Sequence, residues 1–319
     1  MPGSWRKINY DLRPAKNIER KMLSEAFRCL TSFGSMSSYR YVGFGSQFFS
    51  DFRLFHRSLG ITRMISIEGD REVEQRCDFN RPYGCIRLRF GMATSVLPML
   101  EWNQKTILWL DYDVHLDPEV LADVKFACAN AVSGSMIVVT VDTRVKPPGK
   151  EDDPDKRVSW LKECLGEKVP AGIRKKDLVG WGTAKVYRTI IDNEIRKTLS
   201  ERNGTLPEER QIQYKQLFNF EYEDSKDAKM LTAGGLLYET RHGPLLEKSA
   251  VELLPFIRSD EEPFQIEVPN LTLHEIRHLD KFLPKTPAKR LRGCPIPEID
   301  VNRYSNLYRY FPSFVEAEL

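Results

Sequence analysis

The sequence predicts an α/β protein built on a doubly wound, mostly parallel sheet. Strand-like runs alternate with helix-like runs five times between residues 39 and 143. Such alternation is typical of parallel strands joined by crossover helices. Glycines and acids also recur where the strand-like runs end, and these are Gly43, Gly45, Glu68, Asp70, Gly91, Asp111, Asp113 and Asp142. Ligands bind at the carboxyl ends of the strands in such sheets, so the pattern predicts a ligand site there.

Each predicted element has its own signal. The strands are aromatic, β-branched or alternating runs, and they cover residues 39–45, 63–70, 84–91, 105–113 and 135–143. Phe52, Phe55 and Leu59 recur at helical spacing after the first strand, and Gly60 ends that helix. The helix after the fourth strand begins with Asp117 as its N-cap and Pro118 in its first turn.

The pattern changes after Thr143, which indicates insertions around a core. Apolar periodicity predicts helices near 157–166 and 184–202, and residues 216–239 are typical of a β-hairpin. We therefore expect four parts: an N-terminal helical arm or lid, a core in two segments, a helical insertion beside the acceptor, and a C-terminal helical extension. The arm or lid covers residues 1–38, and the core covers 39–143 and 216–240. The helical insertion covers 144–215, and the C-terminal extension covers 241–319.

The composition is that of an ordinary globular protein. Its 319 residues are 41% hydrophobic and 29% charged, with a formal net charge of +3. The first residues contain no apolar signal-peptide region, and no run of about 18 apolar residues predicts a membrane span. The six cysteines include no CxxC pair, which favours free thiols in a reducing compartment. We expect a cytoplasmic protein without a membrane partner.

Five consecutive segments carry a resemblance to a known family. "YVGFGS", "ISIEGD", "RFGMATSVLP", "ILWLDYD" and "IVVTVDT" follow one another like motifs I to V of the class I S-adenosylmethionine-dependent methyltransferases. The 216–239 hairpin resembles their sixth and antiparallel seventh strands, which implies a Rossmann-like sheet of seven strands. More specifically, "YRYVGFGS" and "MLTAGG" resemble a bacterial group of O-methyltransferases. The resemblance implies S-adenosylmethionine as cofactor and S-adenosylhomocysteine as product.

The resemblance also implies cofactor contacts at matching positions. It places the methionine part of the cofactor beside Tyr41, Gly43, Gly45 and Ser46. The ribose would lie on Glu68, with Gly69 and Asp70 beside it. The adenine would lie near Met92 and Ala93, and the transferred methyl near Asp111 and Tyr112. The chain departs from the family at Tyr41, where an acid is usual, and at Gln47, where a third glycine is usual. Because of these departures, one alternative stays open: a methyltransferase-like protein that binds the cofactor or a partner without turnover.

A dehydrogenase is the competing nucleotide-binding interpretation. A dinucleotide site uses GxGxxG, whose last glycine allows close helix packing, and Phe48 stands at that position here. A dehydrogenase also does not explain acids at the end of the fourth strand, whereas a sulfonium donor is cationic and favours nearby carboxylates. The sequence therefore favours the methyltransferase.

The segment "LDYDVHL" supplies the candidate catalytic residues. Methyl transfer to oxygen requires a group that removes the acceptor's proton, and Asp111, Asp113 and His115 are suitable types. Asp111 with Asp142 resembles metal-dependent O-methyltransferases, but Thr143 stands where they carry asparagine, so we predict no metal. DPPY-like motifs and a Pro-Cys pair are absent, which disfavours the commonest DNA methylases.

Four basic clusters leave the partner open. They are Arg13/Lys16/Arg20/Lys21, Lys146/Lys150, Arg174–Lys176 and Lys285/Lys289/Arg290/Arg292, and we interpret each as a solvated face. These clusters are compatible with an anionic acceptor, and they do not exclude nucleic acid as a partner. The acceptor and the oligomeric state are not predictable from these residues.

The segment His274–His278 reads HEIRH, which matches the zinc-hydrolase signature HExxH. We interpret it instead as a helix start, because Thr272 and Glu275 form the S/T-x-x-E pattern of a capping box. A glutamate that folds back on its own helix terminus is badly placed as a hydrolase base. A zinc hydrolase is thus the least favoured alternative.

Overall fold

The computed structural model describes residues 13–145, 154–225, 228–284 and 295–312. In these residues the chain forms an eight-stranded sheet. Its strands are β1 (Arg40–Gly43), β2 (Arg63–Glu68), β3 (Ile86–Phe90), β4 (Thr106–His115), β5 (Ser135–Asp142), β6 (Ile212–Ser225), β7 (Ala228–Glu239) and β8 (Phe264–Ile266).

The order of the strands confirms the predicted fold class. It is β3-β2-β1-β4-β5-β7-β6-β8, with β1 to β5 parallel and β7 antiparallel between β5 and β6. The eighth strand was not predicted, and it pairs parallel to β6 at the edge. Its three residues are too few to show a period in sequence. The hairpin also starts earlier than predicted, at Ile212.

Helices cover both faces of the sheet. They are α1 (Pro14–Arg28), α2 (Ser50–Leu59), α3 (Glu74–Asn80), α4 (Ala93–Val96), α5 (Pro118–Asn130), α6 (Pro154–Leu165), α7 (Gly182–Asn203), α8 (Gly243–Ser249), α9 (Leu273–Asp280) and α10 (Glu298–Leu307). The predicted cap of α5 is confirmed, since the Asp117 carboxylate accepts a hydrogen bond from the Val120 amide at 2.9 Å. None of the described helices is long and apolar enough to cross a membrane.

Helix α1 belongs to the core of one sheet face. Ile18, Met22 and Phe27 are fully buried in a cluster with the aromatic side chains of α2 and β6. The Phe27 ring meets the rings of Phe55 and Phe218 edge to face at 5.3 and 6.3 Å. The N-terminal helix is therefore packed over most of its length. The other face carries α5 and α7 in a second cluster.

The two glycines of "MLTAGG" allow β7 to fit between its neighbours. A Cβ atom on Gly234 would lie 2.2 Å from the Ile137 carbonyl oxygen, and one on Gly235 would lie 2.0 Å from that of Lys215. Both distances are shorter than any real contact, and both neighbours are backbone atoms. The motif thus has a packing role in the sheet.

Candidate active site

A cavity of about 630 Å³ lies at the carboxyl ends of β1, β2 and β4. Nine of the predicted cofactor residues line it: Gly45, Ser46, Glu68, Gly69, Asp70, Met92, Ala93, Asp111 and Tyr112. Tyr41 and Gly43 lie beneath it in the sheet and are buried. Of the three predicted catalytic residues, Asp111 and Asp113 line the cavity and His115 does not.

The loop between β1 and α2 approaches the cavity through Gly45. Its amide donates a hydrogen bond to the Ser66 hydroxyl at 3.0 Å. A Cβ atom there would lie 2.6 Å from the Ser66 Oγ and 2.7 Å from the Phe49 ring, so the position requires glycine. Ser46 and Phe49 have positive φ angles of 47° and 50°, which non-glycine residues rarely adopt. The loop is held in a strained conformation at the cavity wall.

Tyr41 connects this loop to an acid that the sequence did not reveal. Its hydroxyl donates a short hydrogen bond to the Asp51 carboxylate of α2, which lines the cavity. A Cβ atom on Gly43 would lie 2.5 Å from the Tyr41 hydroxyl, so Gly43 provides the space for that group. Burial raises the pKa of Asp51, and Arg20 opposes the rise. Asp51, in the first turn of α2, thus brings a carboxylate to the cavity wall.

Glu68 ends β2 with its carboxylate held against the backbone. One oxygen accepts the Asp70 amide at 3.0 Å. Burial raises the pKa of Glu68, and the hydrogen bond from the Asp70 amide opposes that rise. A partly desolvated carboxylate gains more from hydroxyl donors than an exposed one does. The position suits a ligand that carries hydroxyl groups.

A buried lysine holds Asp111 in the carboxyl-terminal half of β4. The Lys16 ammonium lies 2.6 Å from the Asp111 carboxylate, 2.7 Å from that of Glu19 and 3.0 Å from the Tyr222 hydroxyl. It also lies 4.5 Å from the centre of the Trp109 ring. The Lys16 and Glu19 side chains are 0% exposed. The prediction of a solvated face is thus wrong for Lys16, because helix α1 turns it towards the sheet.

A chain of hydrogen bonds continues from Glu19 into the sheet. The Thr232 hydroxyl donates to the Glu19 carboxylate. The Thr140 hydroxyl lies 2.7 Å from that of Thr232, and it accepts the Trp109 indole N–H at 3.0 Å. Most polar groups of this buried network are therefore paired, which fixes α1 in one position above β4, β5 and β7.

The hydroxyl of Tyr112, a residue of the cavity wall, is hydrogen-bonded to an acid of α5. It donates to the Asp123 carboxylate of α5 at 2.5 Å, while the Tyr112 ring meets the Phe44 ring edge to face at 5.0 Å. The pKa of Asp123 is raised to about 6, chiefly by burial; the hydrogen bond from Tyr112 opposes the rise, and the charges of Glu119 and Asp117 add to it. The Tyr112 hydroxyl is therefore already engaged by Asp123.

We expect the Asp123→Asn variant to gain stability over the wild type as the pH rises. Because the folded pKa of Asp123 lies above the ordinary value of 3.8, its favourable contribution is present at low pH and is lost as the pH passes about 6. The free energy of unfolding of the variant, relative to that of the wild type, should rise by about 2 kcal/mol between pH 4 and pH 8. Urea unfolding at both pH values measures it, and a difference independent of pH would contradict it.

The other predicted catalytic and metal candidates are engaged in contacts outside the cavity or stand exposed on its wall, although His115 and Asp142 are paired neighbours in the register of β4 and β5. Asp113 is exposed on the cavity wall, whereas the His115 ring packs 4.8 Å from the Trp160 ring of α6. The Asp142 carboxylate accepts the Arg144 amide at 2.9 Å and pairs with its guanidinium. In the part of the chain that the structure describes, no three His, Cys, Asp or Glu residues could together hold a metal.

The HEIRH segment starts helix α9, as predicted. The Glu275 carboxylate accepts the Thr272 amide at 2.8 Å, and the Thr272 hydroxyl accepts the Glu275 amide at 3.3 Å. The capping box is confirmed. The His278 ring packs 5.2 Å from the Phe282 ring. The Glu275 oxygen that accepts the Thr272 amide is occupied by the helix cap, which does not suit a hydrolase base.

The fold and the cavity define a class of protein. The sheet places the antiparallel β7 between β5 and β6, as the resemblance implied, and the cavity lies where motifs I to IV converge. The chain is an S-adenosylmethionine-dependent methyltransferase. A sequence profile of the family described as "Putative O-methyltransferase" matches residues 8–319, and the chain belongs to that family.

Solved structures also resemble the chain. Cofactor-bound Rv0187 from MTB is 16% identical, with 70% of this chain and 89% of that chain covered and a TM-score of 0.36. The SAH-bound methyltransferase PaMTH1 from Podospora anserina is 10% identical, with 63% and 71% covered and a TM-score of 0.30. No curated protein matches the chain.

Proposed function

We propose that this chain transfers the methyl group of S-adenosylmethionine to an oxygen atom of its acceptor in the cavity beside Glu68. The observation that carries the proposal is the convergence of Gly45, Glu68 and Asp111 on one cavity at the carboxyl ends of three neighbouring strands. About 630 Å³ is within the usual range for small-ligand sites. The family description supplies the reaction class.

The charges around the cavity suit each part of the donor. Its amino-acid part carries one ammonium and one carboxylate, and Asp51 and Arg20 both line the cavity. The Glu68 carboxylate suits the two ribose hydroxyls, and Met92 and Ala93 offer apolar surface to the adenine. The donor supplies a methyl group on a cationic sulfur, for which Asp111 and the aromatic rings of Phe44 and Tyr112 are suitable neighbours.

The two acids of β4 have different roles in this proposal. Asp111 is fixed by Lys16, so it serves as a stationary charge near the reacting methyl. Asp113 is exposed and has no ion-pair partner among the described residues, so it can accept the acceptor's proton. The acceptor oxygen attacks the methyl carbon, and the new oxygen–carbon bond forms as the carbon–sulfur bond of the donor breaks. The proton of the acceptor hydroxyl goes to Asp113.

The proposal is tested in two steps. Isothermal titration calorimetry with S-adenosylmethionine should show binding at one site per chain, and absence of binding would contradict the proposal. Radiolabelled donor is then offered with hydroxyl-bearing acceptors, neutral and anionic. Transfer to oxygen is expected, whereas binding without transfer to any acceptor would favour the non-catalytic alternative. We propose an anionic acceptor, since Arg13 lines the cavity in addition to the Arg20 that suits the donor carboxylate.

We expect Asp113→Asn to lower kcat by about 100-fold without changing the affinity for the donor, because general-base catalysis contributes on this order. An equal loss in kcat and in donor affinity would contradict the assignment. Glu119→Gln, which changes an exposed acid in α5 outside the cavity, is the control.

We also propose a cytoplasmic location. The five cysteines among the described residues are free thiols: Cys29, Cys77, Cys85, Cys128 and Cys164. Free thiols suit a reducing compartment. Cell fractionation tests this proposal, and recovery outside the cytoplasm would contradict it.

A further inference from the structure

A second cavity, of about 480 Å³, lies on the face of β1, β2 and β3 near their amino ends. Helix α4, which connects β3 towards β4, has only four residues. So short a crossover helix cannot cover this part of the face, because one helical turn spans about 5.4 Å. The edge of the sheet is therefore open where a longer helix would normally pack.

Arginine side chains occupy this open face. The strand register pairs Arg40 with Arg63, Ile65 with Arg87, and Ile67 with Arg89. Side chains alternate along a strand, and paired residues of parallel neighbours point to the same face. The four arginines consequently lie on one face of three adjacent strands, and all four line the cavity.

Arg40 lies at the buried end of the cavity. It is 6% exposed, and one terminal nitrogen donates to the Thr106 hydroxyl at 2.9 Å. Its guanidinium is 5.7 Å from the centre of the Trp102 ring. Its Nε atom is buried and has no hydrogen-bond partner. A buried donor without a partner is costly, so a ligand that accepts this hydrogen bond would be stabilised.

The charge on the cavity wall is strongly positive. Arg63, Arg87 and Arg89 are exposed, and no carboxylate of the described residues lies within 4.0 Å of their side-chain nitrogens. Among the described residues, Glu101 is the one acid on the wall. Four guanidinium groups against one carboxylate leave an excess of three positive charges in a concave site.

We propose that this cavity binds a small anion that carries at least two phosphate groups. Planar guanidinium groups bind phosphate oxygens in pairs, and arginine is the preferred residue for such contacts. Two or more phosphates match a wall that presents several guanidinium groups, whereas a single carboxylate would engage only one. The site shares no lining residue with the methyl-transfer cavity. Its occupation is thus an activity separate from the proposed methyl transfer.

Titration calorimetry of the full chain with inorganic pyrophosphate tests the proposal. Pyrophosphate contains no adenosine, so it does not report binding in the methyl-donor cavity. We expect one site per chain, an affinity at least about tenfold higher than for orthophosphate, and weaker binding at higher salt. The Arg63→Ala/Arg87→Ala variant should lose at least about tenfold in affinity, because each lost charged hydrogen bond weakens binding by this order.

Arg210→Ala is the matched control, since it removes one exposed arginine distant in sequence and outside the cavity. It should change the pyrophosphate affinity by less than about twofold. Absence of pyrophosphate binding by the wild type would overturn the proposal, as would equal losses in the double variant and the control. Both altered arginines of the double variant are exposed, and thermal unfolding checks that it remains folded. Methyl-donor binding should be unchanged, which separates this test from that of the proposed function.

Discussion

Replacing Glu68 with alanine should lower the affinity for S-adenosylmethionine by at least about 100-fold, because two charge-assisted hydrogen bonds to the ribose would be lost. The carboxylate lies at the end of β2 on the cavity wall, where the backbone of Asp70 holds it. Titration calorimetry measures the affinity directly. No acceptor is needed for this experiment.

Two companion variants make the Glu68 result specific. Glu74→Ala removes an exposed acid of the neighbouring α3 and should leave the affinity within about twofold of the wild type. Glu68→Gln keeps an acceptor for the Asp70 amide, so it should fold normally and still bind the donor weakly. Full affinity in the Glu68→Ala variant would show that the ribose binds elsewhere.

Replacing Lys16 with methionine should destabilise the protein by about 3–5 kcal/mol, the usual effect of removing one partner from a buried ion pair. Lys16 lies between the carboxylates of Glu19 and Asp111, and it is fully buried with Glu19. Without the ammonium, Glu19 would remain as an uncompensated buried charge. Urea unfolding at pH 7 measures the change in the free energy of unfolding.

The double variant Lys16→Met/Glu19→Gln distinguishes lost charge pairing from lost packing. A neutral glutamine still accepts the Thr232 hydroxyl, so the double variant should be more stable than Lys16→Met alone. Equal stability of the two variants would indicate that packing, and not the unpaired carboxylate, causes the loss. Lys197→Met, which changes an exposed lysine of α7, is the control and should change stability little.

Local patterns were sufficient to predict the sheet and much of the cavity wall. The alternation of strands and helices, the cap at Asp117 and the capping box at Thr272 each depend on residues a few positions apart. Glu68 and Asp111 follow from the rule that ligands bind at the carboxyl ends of parallel strands. Nine predicted cofactor residues consequently line one cavity. The proposed boundaries of the four parts stay predictions.

Contacts between distant segments were not predictable. Lys16 and Asp111 are 95 positions apart, and a lysine in a basic cluster gives no sign in sequence that its helix will be buried. The Tyr41–Asp51 hydrogen bond depends on the conformation of the intervening loop. The alternation of Arg87 and Arg89 predicted a strand correctly, but the open face arises from the shortness of α4. Lys146, Lys150 and the Lys285–Arg292 cluster lie outside the described residues.

A crystal structure with S-adenosylhomocysteine is the most direct test of the central claim that the cavity at the carboxyl ends of β1, β2 and β4 is the methyl-donor site. We expect the ribose hydroxyls on the Glu68 carboxylate, the adenine against Met92 and Ala93, and the sulfur facing Asp111. A ligand bound outside this cavity, with Glu68 contacting only the Asp70 amide, would contradict the account.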